Sequence, residues 1–284
     1  MSCTPKWFVP TARVARIASL ITALSACSVQ AAAQTQTTGF GASAASIQSQ
    51  VDAFRTSLGP LNANVAGSFG SGRREINWDG VPDGFSAPNG LPANFFNVNS
   101  PRGAVFTTPG SGFAVSANAA SGTPVRFGNI DASYATTFDF FSSQRLFTAL
   151  GSNVVDVNFF IAGSSTAAFT RGFGAVFSDV DLASTTSLQF FDAANASLGT
   201  FFAPTGLFSF LGVSFGSSVI SRVRITSGNT ALAANATDQN GISRDVVAMD
   251  DFLYAETVVP EPSTYALMAA GLLAVAVVRR RRQA

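Results

Sequence analysis

Between residues 104 and 254 the chain is divided into short β-branched and aromatic runs separated by turn formers, a rhythm that admits few folds. Runs fall at 104–108, 112–117, 125–130, 136–141, 153–162, 173–177, 188–191, 198–202, 208–215, 220–226 and 246–254, each bounded by Gly, Pro, Asn, Asp or Ser. About eleven candidate strands in about 150 residues predict an all-β sandwich or barrel. In Ser221-Arg222-Val223-Arg224-Ile225-Thr226 the apolar and charged residues alternate, as in a strand with one buried and one solvated face, which implies antiparallel pairing. Residues 190–199 read as a β-hairpin whose loop holds four to five residues. The 27 Phe residues, against three Tyr and two Trp, suit an aromatic core between two sheets.

The region before the strands is less regular. Residues 34–50 are small, polar and Ala-rich, and read as a spacer leading into a short helix at about 46–58. Residues 72–109 are dense in Gly, Pro and Asn, so they predict loops with one short strand around 75–78.

The C-terminus carries three features in a fixed order. Val259-Pro260-Glu261-Pro262-Ser263 is followed by an apolar segment at 264–278 and then by Arg279-Arg280-Arg281-Arg282. The two prolines disfavour helix and bias their preceding residues to extended backbone, leaving an accessible strip before the apolar segment. Fifteen residues at 264–278 make roughly 22 Å of helix, short of the ~30 Å hydrocarbon core. Such a helix spans only with bilayer thinning and with snorkelling arginines, which the positive-inside rule places in the cytoplasm. Everything before Pro260 is then outside the cytoplasm.

This triplet resembles the PEP-CTERM sorting signal of Gram-negative bacteria. The resemblance implies recognition and removal by an exosortase-type membrane protease, so that membrane anchoring is transient and the product reaches the cell surface or the medium. An ordinary tail anchor behind a Pro linker is the alternative.

The N-terminus is consistent with export. Lys6, Arg13 and Arg16 form a basic region, 17–26 is apolar, and Ala31-Ala32-Ala33 offers a small-residue site for signal peptidase. Leu24-Ser25-Ala26-Cys27 also matches a lipobox, which makes Cys27 a candidate lipid-bearing residue. The expected layout is a signal peptide at 1–33, a spacer with a short helix at 34–71, a sandwich at 72–256 and the sorting tail at 257–284.

Without its two ends the chain keeps ten arginines, no lysine and fifteen acidic residues, so the exported part is mildly acidic and offers no broad basic surface for nucleic acid or anionic lipid. Cys3 and Cys27 both lie in the leader, which leaves the domain without disulfides. The absence of His removes Ser-His-Asp and Cys-His machinery and imidazole metal sites, and the absence of Lys from the domain removes a Ser-Lys dyad.

Three acidic pairs remain as candidates: Asp79 with Asp83, Asp179 with Asp181, and Asp250 with Asp251. Oxygen-rich loops of this kind suit a structural Ca²⁺, although none matches an EF-hand loop. Solvated turn carboxylates are the simpler reading, and a carboxylate-pair glycoside hydrolase or lyase is a third. Trp78, the one Trp of the exported part, either stacks on a sugar ring from an exposed loop or plugs one end of the sandwich.

Residues 171–181, the hairpin at 190–199, Phe210-Leu211-Gly212-Val213, Arg222-Val223-Arg224-Ile225 and Val247-Ala248-Met249-Asp250-Asp251-Phe252 resemble the jelly-roll sandwich found in many exported PEP-CTERM proteins and related to carbohydrate-binding modules. That likeness implies a fold and assigns no binding residues. The functional expectation is a non-enzymatic surface or extracellular-matrix protein associated with exopolysaccharide. A lectin-like module and a secreted carboxylate-dependent enzyme are the alternatives.

Overall fold

The computed structural model describes residues 33–236 and 243–259, together with Gly271 and Arg279. Its strands are β1 (Gln34–Gly41), β2 (Arg73–Ile76), β3 (Ala104–Thr107), β4 (Gly112–Val115), β5 (Phe147–Leu150), β6 (Val154–Phe159), β7 (Gly172–Val180), β8 (Ser187–Phe191), β9 (Ser197–Phe202), β10 (Gly206–Phe215), β11 (Arg222–Thr226) and β12 (Ala248–Ala255). The main helix, α1, is Ala44–Leu58. One sheet runs β1-β10-β7-β12-β5-β4, with β2 also on β12, and the other runs β3-β6-β11-β8-β9.

The pairing scheme is that of a jelly roll. Counting inward from both ends of the eight-strand block β5–β12, β5 pairs with β12, β6 with β11, β7 with β10 and β8 with β9, all antiparallel. A long hairpin rolled up on itself produces this nesting, and it distributes successive strands between two sheets whose inner faces must be apolar. Phe106, Phe147, Phe173, Phe190, Phe252 and Trp78 fill the space between the sheets.

A second apolar layer covers the outer face of the larger sheet. Ile47, Val51, Phe54 and Leu58 recur at helical spacing along α1 and pack on Val176, Phe208, Phe210 and Leu253. Two glycines make the seat for this helix. Gly174 and Gly212 lie directly opposite each other on β7 and β10. A Cβ on either would come within 2.8 Å of the Phe54 ring. Past Leu58 the helix stops at Gly59, whose φ of 108° is left-handed backbone that glycine adopts without strain.

Three expectations about segments are corrected. Residues 34–41 are not a spacer: their backbone pairs with residues 208–215 of β10 as an edge strand, so the sandwich begins at Gln34 rather than at residue 72. Alternating Thr and Gln with little burial suits an edge, where one row of backbone groups faces water. The aromatic runs at 125–130 and 136–141 are not strands. Arg126 and Phe127 have positive φ, and Phe127, Tyr134 and Phe138 instead turn inward to form a side core with Leu146, Leu232 and Val246. The strand β5 was not expected, because Phe147-Thr148-Ala149-Leu150 is too short to show a period.

The alternation at 222–226 holds: Val223 and Ile225 are buried, while Arg222 and Arg224 lie on the other face and both bind Asp156. The 190–199 hairpin is β8–β9, and the carboxylate of Asp192 accepts the N–H groups of Ala194 and Ala196 to close its loop.

Candidate functional site: buried carboxylates and the sorting tail

The acidic pair of β12 sits in a β-bulge. Met249 is opposite Phe177 and Phe252 is opposite Ala175, so Asp250 and Asp251 together face the single residue Val176. A bulge turns the strand locally, and here it directs two adjacent carboxylates to one hydroxyl. Ser142 Oγ lies 2.7 Å from Asp251 Oδ1 and 3.1 Å from Asp250 Oδ1. The Ser142 hydroxyl faces both carboxyl groups as a donor, with Asp251 the nearer.

Burial, and then the neighbouring charge of Asp251, push the Asp250 carboxyl well above the usual carboxylate range. Asp250 Oδ2 accepts the backbone N–H of Phe141 at 2.7 Å. Burial raises Asp251 to about 6, against the lowering effects of Ser142 and the Arg55 guanidinium, which donates to Asp251 Oδ2 at 3.1 Å. Arg55 also binds both oxygens of Glu75, so helix α1 and strands β2 and β12 meet at one guanidinium.

Trp78 lies between the sheets, 1 % exposed, which corrects the reading of an exposed sugar-stacking ring. Its indole stacks on Phe147 with centroids 4.1 Å apart, and Nε1–H donates to the carbonyl of Asp250 at 2.7 Å. Asp79 accepts the backbone N–H groups of Gln144 and, at 3.1 Å, Arg145; burial raises its carboxyl against those two donors. Asp83 takes the buried Arg145 guanidinium at 2.5 Å. Asp179, next to the last residue of β7, has a positive φ, and the backbone N–H of Asp181 donates to the buried Asp245 at 3.1 Å.

The three acidic pairs proposed for Ca²⁺ lie apart in the fold, each engaged by its own partners. Among the described residues no three acidic, His or Cys side chains converge on a point where a metal could sit. Asp79 and Asp83 secure the 144–145 segment, and Asp250 and Asp251 secure Ser142 and α1.

Sequence reasoning missed two buried groups. Asp245 accepts from the backbone of Asp181 and Leu182 and from the Thr185 hydroxyl. Arg74 and Glu256 form a buried pair, Nε–Oε2 2.7 Å and Nη2–Oε1 3.0 Å. Arg74 also donates to the carbonyls of Ala63, Val65, Gly67 and Pro101. The available signal was a charged residue at each end of otherwise strand-forming runs, Arg74 in β2 and Glu256 just past β12.

Glu256 leads directly to the tail. Val258 exchanges both backbone hydrogen bonds with Phe169, at 2.8 and 2.9 Å, and Val259, the next residue, is exposed. Val258 is the last of the described residues paired with the sandwich, two residues before Pro260. Pro260, Glu261, Pro262 and Ser263, the expected membrane helix at 264–278, Arg280, Arg281 and Arg282 lie outside the described residues, as do Cys27 and the expected signal peptide; Arg279 is described and exposed. Among the described residues no helix is long and apolar enough to cross a membrane.

Residues 258–282 match the family of the PEP-CTERM protein-sorting motif. No curated protein and no solved structure matches the chain. The match begins at the residue where the last backbone pairing of the sandwich ends, so folded domain and sorting motif adjoin without a linker. The chain thus carries a PEP-CTERM sorting motif behind an all-β sandwich, and the motif marks it as an exported protein sorted by an exosortase.

Proposed function

We propose that the sorted sandwich is a non-enzymatic surface or matrix protein working within extracellular polysaccharide. The observation that supports this reading is the burial of Asp250, Asp251 and Trp78 within the fold. Asp250 and Asp251 are buried and hydrogen-bonded to Ser142, and Trp78 lies between the sheets, so these groups hold the scaffold together. A carboxylate-pair glycosidase needs two carboxyls flanking a substrate bond with solvent access. The Asp250–Asp251 pair offers neither.

The test is to add the processed protein to the polysaccharide of its own host and follow viscosity. The reading expects no loss of viscosity. A loss abolished by Asp250→Asn or Asp251→Asn would establish a carboxylate-dependent hydrolase or lyase instead. Glycan-array binding with and without EDTA checks the lectin alternative: saturable, chelator-sensitive binding to one sugar class would overturn a purely structural role.

A further inference from the structure

Seven large apolar side chains are exposed among the described residues: Phe40, Leu61, Val65, Phe69, Val98, Phe202 and Val259. Scattered single exposures are ordinary, but five of these, Leu61, Val65, Phe69, Val98 and Val259, lie at one end of the sandwich. The tail leaves the sandwich at the C-terminal end of β12, where Tyr254 and Ala255 pair with Arg74 and Arg73. Leu61, Val65 and Phe69 lie on the 59–72 loop that frames this end, where Ser68 Oγ donates to the carbonyl of Thr257 at 2.7 Å and Asn62 donates to Glu256 at 2.6 Å. Val98 is close by: Asn97 accepts the N–H of Gly163 and donates to Ser164, next to Ala162, whose carbonyl accepts from Gly67.

Phe40 and Phe202 lie at the opposite end. Phe40 pairs with Ser209 near the start of β10, which is antiparallel to β7. Phe202 pairs with Ser187, whose partner on β11 is Thr226, the end remote from the Thr170–Ile220 bridge.

The apolar loop is held from its inner side. Arg74 binds the carbonyls of Ala63, Val65 and Gly67, and backbone bonds join Asn62 to Arg73 and Gly67 to Ala162. A loop so fastened presents Leu61, Val65 and Phe69, 57 %, 50 % and 51 % exposed, to the outside as a fixed surface.

The length of chain that follows decides what covers this surface. From Val259 to Thr264, where the apolar segment begins, is five residues, and a fully extended chain spans at most roughly 17 Å over that length. While the apolar segment is in the bilayer, the end of the sandwich that carries Leu61, Val65 and Phe69 is therefore held within the reach of the headgroup layer. We infer that the 59–72 loop, through Leu61, Val65 and Phe69, is a membrane-docking surface that seats the folded domain on the bilayer surface beside the entry point of its own tail, presenting the Pro-Glu-Pro strip at a set height for the sorting protease. The inference rests on membrane anchoring by the tail and not on any matrix role.

Single Cys residues placed by Leu61→Cys, Val65→Cys, Phe69→Cys, Phe40→Cys and Phe202→Cys, in the full chain carrying Cys3→Ser and Cys27→Ser, can be labelled with an environment-sensitive fluorophore. The chain is then reconstituted into phosphatidylethanolamine–phosphatidylglycerol vesicles containing a headgroup-level quencher. Docking predicts a blue shift and quenching at 61, 65 and 69 in vesicles floated with the protein, with labels at 40 and 202 unchanged. Floated protein whose five labels all report water would overturn docking while leaving anchoring intact, and protein that fails to float would overturn both. Protection at 61, 65 and 69 in detergent without lipid would identify a second copy as the partner, and protection that requires added sorting protease would identify the protease; either result overturns the bilayer assignment.

Discussion

Arg74 grips both oxygens of Glu256 inside the fold, with side chains 0 % and 1 % exposed, two residues before the last backbone pairing of the sandwich. Removing one partner of such a pair leaves a buried charge without its counter-ion, which costs about 3–5 kcal/mol. Glu256→Gln is expected to destabilise the protein by that order in chemical denaturation and to open the 59–72 loop to proteolysis, since Arg74 also holds that loop's carbonyls. An unchanged denaturation midpoint and cleavage pattern would mean that the pair does not organise the loop.

The Asp250–Asp251 pair sets a pH dependence of definite sign. Burial raises Asp251 from 3.8 to about 6, and Asp250 further in the same direction, so the folded state retains protons that the unfolded chain has released. Their contribution is most favourable below the unfolded value near 3.8 and is lost as pH rises through the folded values. For Asp251 alone the loss is about 3 kcal/mol. Urea titrations at a series of pH values should therefore show the double variant Asp250→Asn, Asp251→Asn gaining stability relative to the parent as pH rises from about 4 to about 7. A difference that stays constant with pH would contradict the raised carboxyls of this pair.

Gly212 and Gly174 form the floor under Phe54. Gly212→Ala would put a methyl within 2.8 to 2.9 Å of three Phe54 ring atoms, a clash that costs about 1–3 kcal/mol in a packed core. Thermal denaturation should show the loss, and Phe54→Leu should restore part of it in the double variant. Full additivity of the two substitutions would show that the glycine is not there for the ring.

Trp78 is an internal strut, so its substitution should affect stability rather than ligand binding. Trp78→Ala removes the stack on Phe147 and the donor to Asp250, at a cost of about 3–5 kcal/mol by denaturant titration. Its intrinsic fluorescence should be insensitive to added polysaccharide, and a saturable change on titration would place the ring at a binding surface.

The sandwich was legible because period-2 alternation and turn residues report directly on half-buried antiparallel strands, as at Val223 and Ile225. The tail was legible because its proline motif, apolar segment and arginines depend on sequence order alone. The edge strand β1 was not, since an edge can be polar on both faces and Gln34-Thr35-Gln36-Thr37 then looks like a spacer. The side core misled in the opposite way: Phe127 and Phe138 are as apolar as strand residues, yet they pack from turns. The roles of the carboxylates depend on contacts remote in sequence, such as Ser142 with Asp251 and Arg74 with Glu256, and no local pattern encodes these partners.

The central claim is that the chain is exported and that its tail is a sorting signal removed by an exosortase. Mass spectrometry of the intact protein recovered from the outer surface and medium of its host tests this most directly. The account predicts a mature species that retains the sandwich through Val258 and lacks the apolar segment and Arg279 to Arg282, with the full tail accumulating in the membrane when the sorting protease is deleted. A surface or extracellular species whose mass still includes 264–284 would contradict it.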